Sequence, residues 1–245
     1  SFDLEASTNN NIVVSGTPGG GEGPVDLTWG LILSLIRKIH EEDKLVREGQ
    51  WGKNIGPSLD GKTLGLLGLG HIGKLVSKVG LAFGMSVIAW SENLTDIYAK
   101  NLGVKHVDKQ TLFKESDILS IHTKLSDRTK NIISEDEINL MKTSSYIINT
   151  SRGPIIEEKA LVNALNSKKI AGAAIDTFDI EPLPSNHPLL YTPNTLLTPH
   201  IGYVTYEAYE AYYEGIIDNV ISFLNDNPVR VLNPDVLKKL YDLDH

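Results

Sequence analysis

The chain has 245 residues, and its 23 basic and 31 acidic side chains give a formal net charge of −8. The acidic balance disfavours a nucleic-acid backbone as a partner, and the absence of cysteine excludes disulfides, cysteine-ligated zinc and thiol nucleophiles. No apolar run reaches the ~18 residues that span a bilayer, and Ser1 to Asn11 lacks the basic start and apolar stretch of a signal peptide. We therefore expect a cytoplasmic protein with no membrane partner, and we predict no metal site.

The first fifth of the chain predicts a short strand, a loop and one long helix. Ile12 to Val14 is typical of a strand, and the glycine-rich run Gly16 to Pro24 indicates a flexible connection. Asp26 is the expected N-cap of a helix that continues to about Glu48. The stretch from Leu27 to Ile36 is apolar on nearly all sides, so this half of the helix is expected to be buried.

Strands and helices alternate from Gly61 onwards. The predicted strands cover residues 64–67, 86–90, 104–107, 118–122, 146–149, 171–176 and 195–197, and the predicted helices cover residues 72–83, 97–102, 111–114, 134–141, 157–167 and 205–225. Strands that are apolar throughout are buried on both faces, which is typical of a parallel sheet. The alternation predicts an α/β fold with a doubly wound parallel sheet, of the Rossmann nucleotide-binding type.

The segment Gly68-Leu69-Gly70-His71-Ile72-Gly73 matches the pattern G-x-G-x-x-G, directly after a predicted strand and at the start of a predicted helix. In this context Gly68 permits a tight turn, Gly70 lets the backbone approach a pyrophosphate, and Gly73 lets helix and strand pack closely. The free N–H groups at the start of the helix would then face the anion. The segment predicts a dinucleotide-binding turn.

The ribose of such a cofactor is normally held by an acidic residue at the end of the second strand, about 20 residues after the glycine turn. Here the strand is followed by Ser91, and Glu92 comes one position later. Ser91 tolerates a 2′-phosphate, whereas Glu92 either binds the ribose hydroxyls or is simply solvated. Because no basic residue follows before Lys100, the pattern leaves both NAD and NADP open and favours NAD.

Three polar residues follow predicted strands at the edge where open α/β sheets bind their ligands. Arg152 comes after residues 146–149, Glu181 after residues 171–176, and His200 after residues 195–197. A histidine suits proton transfer to a carbonyl that accepts a hydride, and a neighbouring carboxylate orients its ring. An arginine can hold a substrate carboxylate with paired donors. The set is suited to hydride transfer between a nicotinamide and a small acid.

With these residues the chain resembles the D-isomer-specific 2-hydroxyacid dehydrogenases, the family of phosphoglycerate, glycerate and hydroxypyruvate/glyoxylate reducing enzymes. The resemblance runs from about Ser1 to Pro234 and rests on residues 61–73, 89–95, 149–153, 173–182 and 198–202. It implies that His200 is the acid/base, that Glu181 is its partner, and that Arg152 binds and polarises the substrate. The implied substrate is a small D-2-hydroxy acid or 2-keto acid, similar to glyoxylate or hydroxypyruvate.

The resemblance also implies a set of contacts to NAD or NADP. His71 and Ile72 would lie at the pyrophosphate, and Asp176 would contact the nicotinamide carboxamide. The full implied set is Gly68, Gly70, His71, Ile72, Gly73, Ser91, Thr123, Thr150, Ser151, Arg152, Asp176, His200, Gly202 and Tyr203.

By the same resemblance, residues 1–22 are the remnant of a flavodoxin-like substrate domain and residues 23–199 form the dinucleotide-binding domain. Residues 200–245 form a C-terminal helix and tail that return to the substrate domain. On the order of eighty N-terminal residues, comparable to a small domain, are expected to be absent, so the chain is expected to be N-terminally truncated. The resemblance further implies a homodimer through the helix from Asp26 to Glu48, and Leu31→Asp is then expected to leave a monomer.

Two other functions stay open at this point. A nicotinamide-sensing scaffold or co-repressor of the same fold can retain all three polar residues, and so can a cofactor-binding but inactive fragment of a longer enzyme. Turnover separates the enzyme from both alternatives, and cofactor-dependent capture of a partner would indicate the scaffold.

Overall fold

The computed structural model describes residues 2–19, 21–52 and 54–242. Residues 1, 20 and 243–245 lie outside the described residues. They belong to the predicted terminal segments 1–22 and 200–245, and residue 20 also belongs to the predicted loop 16–24. Seven strands form one parallel sheet, in which the third, second, first, fourth, fifth, sixth and seventh strands of the chain lie side by side in that order. The strands are β1 Thr63–Leu67, β2 Ser86–Trp90, β3 Lys105–His106, β4 Ile118–Ile121, β5 Tyr146–Asn149, β6 Gly172–Ile175 and β7 Thr195–Leu197.

Helices cover both faces of this sheet, which confirms the prediction of a doubly wound parallel sheet. One buried cluster joins the sheet to three helices through Phe113, Ile138 and Leu161, and a second joins it to three other helices through Ile32, Val76 and Ala99. The helices are α1 Leu4–Asn9, α2 Gly23–Ile36, α3 Ile39–Arg47, α4 His71–Ala82, α5 Asp96–Asn101, α6 Lys109–Glu115, α7 Glu135–Leu140, α8 Glu158–Asn166, α9 Tyr206–Leu224 and α10 Asp235–Asp242, with short 3₁₀ turns at Gly153–Ile155 and Pro188–Tyr191.

The prediction of one helix from Asp26 to Glu48 is wrong, because the chain forms two helices separated at Lys38. Lys38 has φ +56°, in the left-handed region, and its Nζ donates to Glu41 Oε1 (2.8 Å) and Asn194 Oδ1 (3.2 Å). The apolar helix α2 packs into the core, whereas α3 is rich in charge and has no buried residue. The break therefore lets α2 stay buried while the charged half stays at the surface.

The start of α2 also differs from the prediction. The helix begins at Gly23, so Asp26 is not its N-cap but lies inside the first turn. Pro24 is preorganised for a first helical turn, where a missing N–H costs nothing. Asp26 then interacts favourably with the positive end of the helix dipole.

Packing divides the chain into two compact units, Ser1–Gly23 with Tyr203–His245 and Pro24–Gly202. The larger unit holds the sheet and both buried clusters. The prediction of a strand at Ile12–Val14, in the smaller unit, is wrong. The backbone there bonds the side chain of Asn233 instead. Val14 N donates to Asn233 Oδ1 (2.9 Å), and Asn233 Nδ2 donates to the Ile12 carbonyl (2.9 Å). Across the described residues, none of the helices combines the length and apolarity that crossing a membrane requires.

Candidate active site

A turn with three glycines joins β1 to α4. Gly68 has φ +102°, which favours glycine, and a Cβ there would lie 2.7 Å from the His122 carbonyl oxygen. A Cβ at Gly73 would lie 2.3 Å from the Gly68 carbonyl oxygen, so the helix packs on the turn at backbone contact. A Cβ at Gly70 would meet nothing within 4 Å, so the space beside the turn is open. An anion can therefore approach the first-turn N–H groups of α4 closely.

The glycine turn forms one wall of a cleft of about 880 Å³ in the larger unit. This volume lies within the range of pockets that hold cofactors and small molecules. The sheet register explains its position, because Leu67 pairs with Trp90 on one side and with Ile121 on the other. The carboxyl ends of β2, β1 and β4 therefore meet at one edge. The predicted site residues that line the cleft are Gly68, Gly70, His71, Ile72, Ser91, Thr123, Thr150, Ser151 and Arg152.

The loop after β5 is held in shape by its own side chains. Ser151 N donates to Asn149 Oδ1 (3.0 Å), and Asn149 Nδ2 donates to the Arg152 carbonyl (3.0 Å). The Ser151 hydroxyl donates to the Thr123 carbonyl, which fastens this loop to the loop after β4. The hydroxyls of Thr150 and Thr28, on α2, lie 2.8 Å apart and share a hydrogen bond. These bonds present the Arg152 side chain at the cleft.

His122 also lines the cleft, directly after β4. Its Nε2 lies 2.8 Å from the Ser120 hydroxyl. Burial lowers the pKa of His122 to about 4, because an imidazolium would lose its hydration there. The ring is therefore neutral near pH 7, and it adds hydrogen-bonding capacity to the cleft without adding charge.

His200 and Glu181 form a hydrogen-bonded pair, with His200 Nδ1 2.7 Å from Glu181 Oε2. The other carboxylate oxygen accepts the Phe178 backbone N–H (2.9 Å). Burial by itself would raise the pKa of Glu181, but the hydrogen bonds from His200 and Phe178, and the charge of Arg152, outweigh it and lower that pKa. Glu181 is therefore an anion near pH 7. Because a carboxylate only accepts hydrogen bonds, Nδ1 of His200 carries the proton in this pair.

Two close backbone contacts place this pair beside the cleft. A Cβ at Gly153 would lie 2.2 Å from the Phe178 carbonyl carbon, so the loop that carries Arg152 packs against the loop that carries Glu181. A Cβ at Gly202 would lie 3.6 Å from the Cα of Pro24, which itself lines the cleft. Arg152 thus lines the cleft and the pair of Glu181 and His200 lies beside it, although the three residues follow three different strands.

Asp176 holds the segment on which His200 lies. Its carboxylate is fully buried and accepts hydrogen bonds from the Thr198 hydroxyl (2.5 Å), Ile201 N (2.9 Å) and Gly202 N (3.0 Å). His200 itself has φ +53°, an uncommon conformation for a residue with a side chain. The three bonds flank this residue and keep the loop in place.

The structure does not bring every predicted residue to the cleft surface. Gly73 is buried beneath the glycine turn, and Asp176, Glu181, His200 and Gly202 lie behind or beside the residues that line the cleft. Tyr203 belongs to the smaller unit and is partly exposed, so its contact with a cofactor stays a prediction.

Three titratable residues on the cleft lining were not predicted from the sequence, namely His122, Lys124 and Arg128. All three belong to the loop after β4, and only Thr123 was expected there. The strand pattern could have indicated these residues, because the carboxyl end of β4 lies at the same edge of the sheet as the glycine turn. The two basic residues lie 33 and 37 positions after Ser91 in the chain, so the residues that directly follow β2 do not reveal them.

Comparison with known proteins identifies a family. The sequence profile described as "D-isomer specific 2-hydroxyacid dehydrogenase, NAD binding domain" matches residues 29–202. The chain is 39% identical to a glyoxylate reductase of Thermococcus litoralis over 247 residues, which covers 96% of this chain and 74% of the relative. The chain therefore spans about three-quarters of the length of that relative.

Solved structures are similar to this chain over nearly its whole length. A Ralstonia solanacearum oxidoreductase, provisionally assigned as a D-3-phosphoglycerate dehydrogenase, superposes with a TM-score of 0.91 at 38% identity, covering 96% of this chain and 72% of that one. The acyclic imino acid reductase Bsp5, solved with NADPH and D-Arg, superposes with a TM-score of 0.79 at 32% identity, covering 94% and 74%.

Proposed function

Because the chain belongs to the D-isomer specific 2-hydroxyacid dehydrogenase family, we propose that it interconverts a small 2-keto acid and the corresponding D-2-hydroxy acid with a nicotinamide dinucleotide. Membership makes it an oxidoreductase with a nicotinamide cofactor. Beyond membership, we propose the roles of individual residues and the class of substrate. The observation that carries the proposal is the 2.7 Å contact between His200 and Glu181, close to Arg152 on the lining of the cleft.

The cleft fits a dinucleotide. Its volume suffices, Gly70 leaves the approach to the helix N-terminus open, and the N–H groups of His71 and Ile72 stand at the start of α4. Thr123, Thr150 and Ser151 line the stretch towards Arg152, where the nicotinamide would be held. The bound nicotinamide supplies or accepts the hydride.

His200 moves the proton. In reduction its Nε2 donates a proton to the substrate carbonyl oxygen, and in oxidation the neutral ring takes the hydroxyl proton. Glu181 holds Nδ1 and so points Nε2 away from the carboxylate. Its charge also stabilises the imidazolium that forms in oxidation. The pair thus fixes the ring orientation and the site of the exchanged proton.

Arg152 binds the substrate carboxylate. Its planar guanidinium offers paired donors that match a carboxylate, and its own loop is held by Asn149 and Ser151. Its charge also favours a carbonyl oxygen that becomes negative as hydride arrives. A 2-keto acid places carboxylate and carbonyl side by side, so one arginine serves both groups.

The name of the Thermococcus litoralis relative points to glyoxylate as a first substrate to try, with hydroxypyruvate as the next in size. Asp176 is assigned a positioning role on the segment that carries His200, because both of its oxygens accept bonds from that segment. We extend the proposal to a homodimer through the dinucleotide-binding unit. Cytoplasmic location stays a prediction of the composition.

The test is oxidation of NADH and of NADPH with glyoxylate, hydroxypyruvate and a bulkier 2-keto acid. We expect turnover with a small acid, and its loss by at least a hundredfold in His200→Ala, the lower range for a proton-transfer group. His106→Ala is the matched control, since His106 pairs with Asp96 at the surface outside the cleft. Cofactor binding without turnover would refute the enzyme proposal and favour the sensing scaffold. Equal loss in both variants would refute the role of His200.

A further inference from the structure

Two basic side chains of the cleft have no part in the proposed reaction. Lys124 and Arg128 line the same cleft as Ser91, Glu92 and Asn93, which follow β2. Neither forms an ion pair with a residue in the described ranges 2–19, 21–52 and 54–242. Both are exposed at the cleft, so their charges are available to a ligand.

The loop that carries these cations faces the end of β2. The carboxyl ends of β2 and β4 flank β1, at a separation of roughly two strand spacings, or ~10 Å. Trp90 at the end of β2 and Ile132 in the loop after β4 pack against the same buried cluster, so both segments lie on the same side of the sheet. Side chains that extend from both segments can therefore contact one ligand group between them.

The turn that presents Arg128 is ordered. The Thr129 hydroxyl donates to the Lys124 carbonyl (2.7 Å), and Ser126 N donates to the Thr129 hydroxyl (2.8 Å). Lys130 N also donates to the Ser126 carbonyl (2.9 Å). Little backbone order has to be gained when a ligand binds there, which lowers the entropic cost of recognition.

The charges on the lining of the cleft favour an anion. Among the described residues that line the cleft, Glu92 is the one acid, against Lys124, Arg128 and Arg152. The charge of Arg152 also acts on Glu181, which does not line the cleft, whereas Glu92 is the acid on the lining that Lys124 and Arg128 outnumber. An acidic residue in the place of Ser91 would repel a phosphate on the ribose, whereas the Ser91 hydroxyl can donate to one.

We propose that Arg128, assisted by Lys124, binds the 2′-phosphate of NADPH, so that the chain accepts NADPH in addition to NADH. A guanidinium binds a phosphate with two parallel hydrogen bonds. The inference rests on the proposed role of the cleft as a dinucleotide site. It also revises the preference for NAD, which follows from the absence of a basic residue between Ser91 and Lys100.

The decisive experiment uses fragments that carry the adenosine end alone. We would titrate the full chain with 2′,5′-ADP and with 5′-AMP by calorimetry, in the wild type, Arg128→Gln and Lys100→Gln. The two substitutions remove the same charge, but Lys100 lies on α5 and does not line the cleft. These probes contain no nicotinamide, so failure of the catalytic proposal leaves the result interpretable.

We expect the wild type to bind 2′,5′-ADP at least tenfold more tightly than 5′-AMP, as charge-assisted hydrogen bonds supply. Arg128→Gln should remove most of this difference and change 5′-AMP binding less than threefold, while Lys100→Gln should keep the wild-type ratio. Equal wild-type affinities for the two probes would overturn the proposal, and so would an unchanged ratio in Arg128→Gln. A loss shared by both variants would indicate general electrostatics and would overturn it as well.

Discussion

Replacing Asp176 with asparagine tests whether this carboxylate holds the loop that carries His200. The carboxylate accepts three hydrogen bonds, from the Thr198 hydroxyl and from the backbone of Ile201 and Gly202. Asparagine has nearly the same shape but offers one oxygen and one NH₂ group. If the oxygen keeps the two bonds at Oδ1, the NH₂ group faces Gly202 N–H, and two donors then oppose each other in a buried place.

The expected cost follows from these bonds. A buried donor left without its acceptor costs about 1–3 kcal/mol. The left-handed conformation of His200 is unfavourable by roughly 1–2 kcal/mol in a residue other than glycine. The free energy lost with this hydrogen bond is therefore similar to the conformational free energy that the loop has to offset at His200. We expect the free energy of unfolding to fall by about 1–3 kcal/mol and the loop to relax, which separates His200 from Glu181.

Two measurements separate a positioning role for Asp176 from a contact with the cofactor. Urea unfolding gives the change in stability, and steady-state kinetics with a calorimetric cofactor titration separates kcat from cofactor affinity. Positioning predicts a fall in kcat of at least tenfold with cofactor affinity little changed. Direct contact with the nicotinamide carboxamide predicts weaker cofactor binding instead.

The matched control for Asp176→Asn is Asp136→Asn, an exposed acid in the first turn of α7, which should change stability by less than about 0.5 kcal/mol. If Asp176→Asn unfolds at the same urea concentration as the control, the reasoning about the buried carboxylate is refuted.

Three further predictions follow from the geometry. Gly73→Ala puts a Cβ 2.3 Å from the Gly68 carbonyl oxygen, so we expect a loss of about 1–3 kcal/mol in urea unfolding and weaker 5′-AMP binding; wild-type values would contradict this packing argument. The pKa of about 4 for His122 lies below the 6.5 of an unfolded histidine, so stability is full above pH 6.5 and falls towards pH 4 by up to about 3 kcal/mol. His122→Gln should flatten this slope in unfolding series across that range, and an equal slope in both proteins would show that other groups cause it. Leu31 is 3% exposed, so Leu31→Asp would disrupt the core and cannot test a dimer. Ile39 and Val46 on α3 are 52% and 50% exposed, and their joint replacement by glutamate should yield a folded monomer by light scattering if the dimer proposal holds, whereas an unchanged mass would refute this interface.

Periodicity and glycine placement were the reliable signals in the sequence. The apolar runs at 64–67, 118–121 and 146–149 became buried parallel strands, because strands covered on both faces need apolar side chains throughout. The glycine turn was also readable, since a φ of +102° at Gly68 and a backbone contact at Gly73 both exclude a larger residue. These features depend on residues close together in the chain.

The break between α2 and α3 was not readable in the same way. Residues 26–48 are compatible with one continuous helix by local preference, but burial of α2 and exposure of α3 decide the bend at Lys38. The Lys38 side chain bonds Asn194, which is 156 positions away. Local propensity carries no information about such a partner.

The sequence by itself therefore determined the α/β class, the dinucleotide turn and the identities of Arg152, Glu181 and His200 as candidates. Only the tertiary structure decided that His200 lies 2.7 Å from Glu181, that Asp176 bonds the segment on either side of His200, and that Arg128 shares a cleft with Ser91. The physical reason is the parallel sheet. Its strand order brings the carboxyl ends of distant strands to one edge, and side chains far apart in the chain meet there.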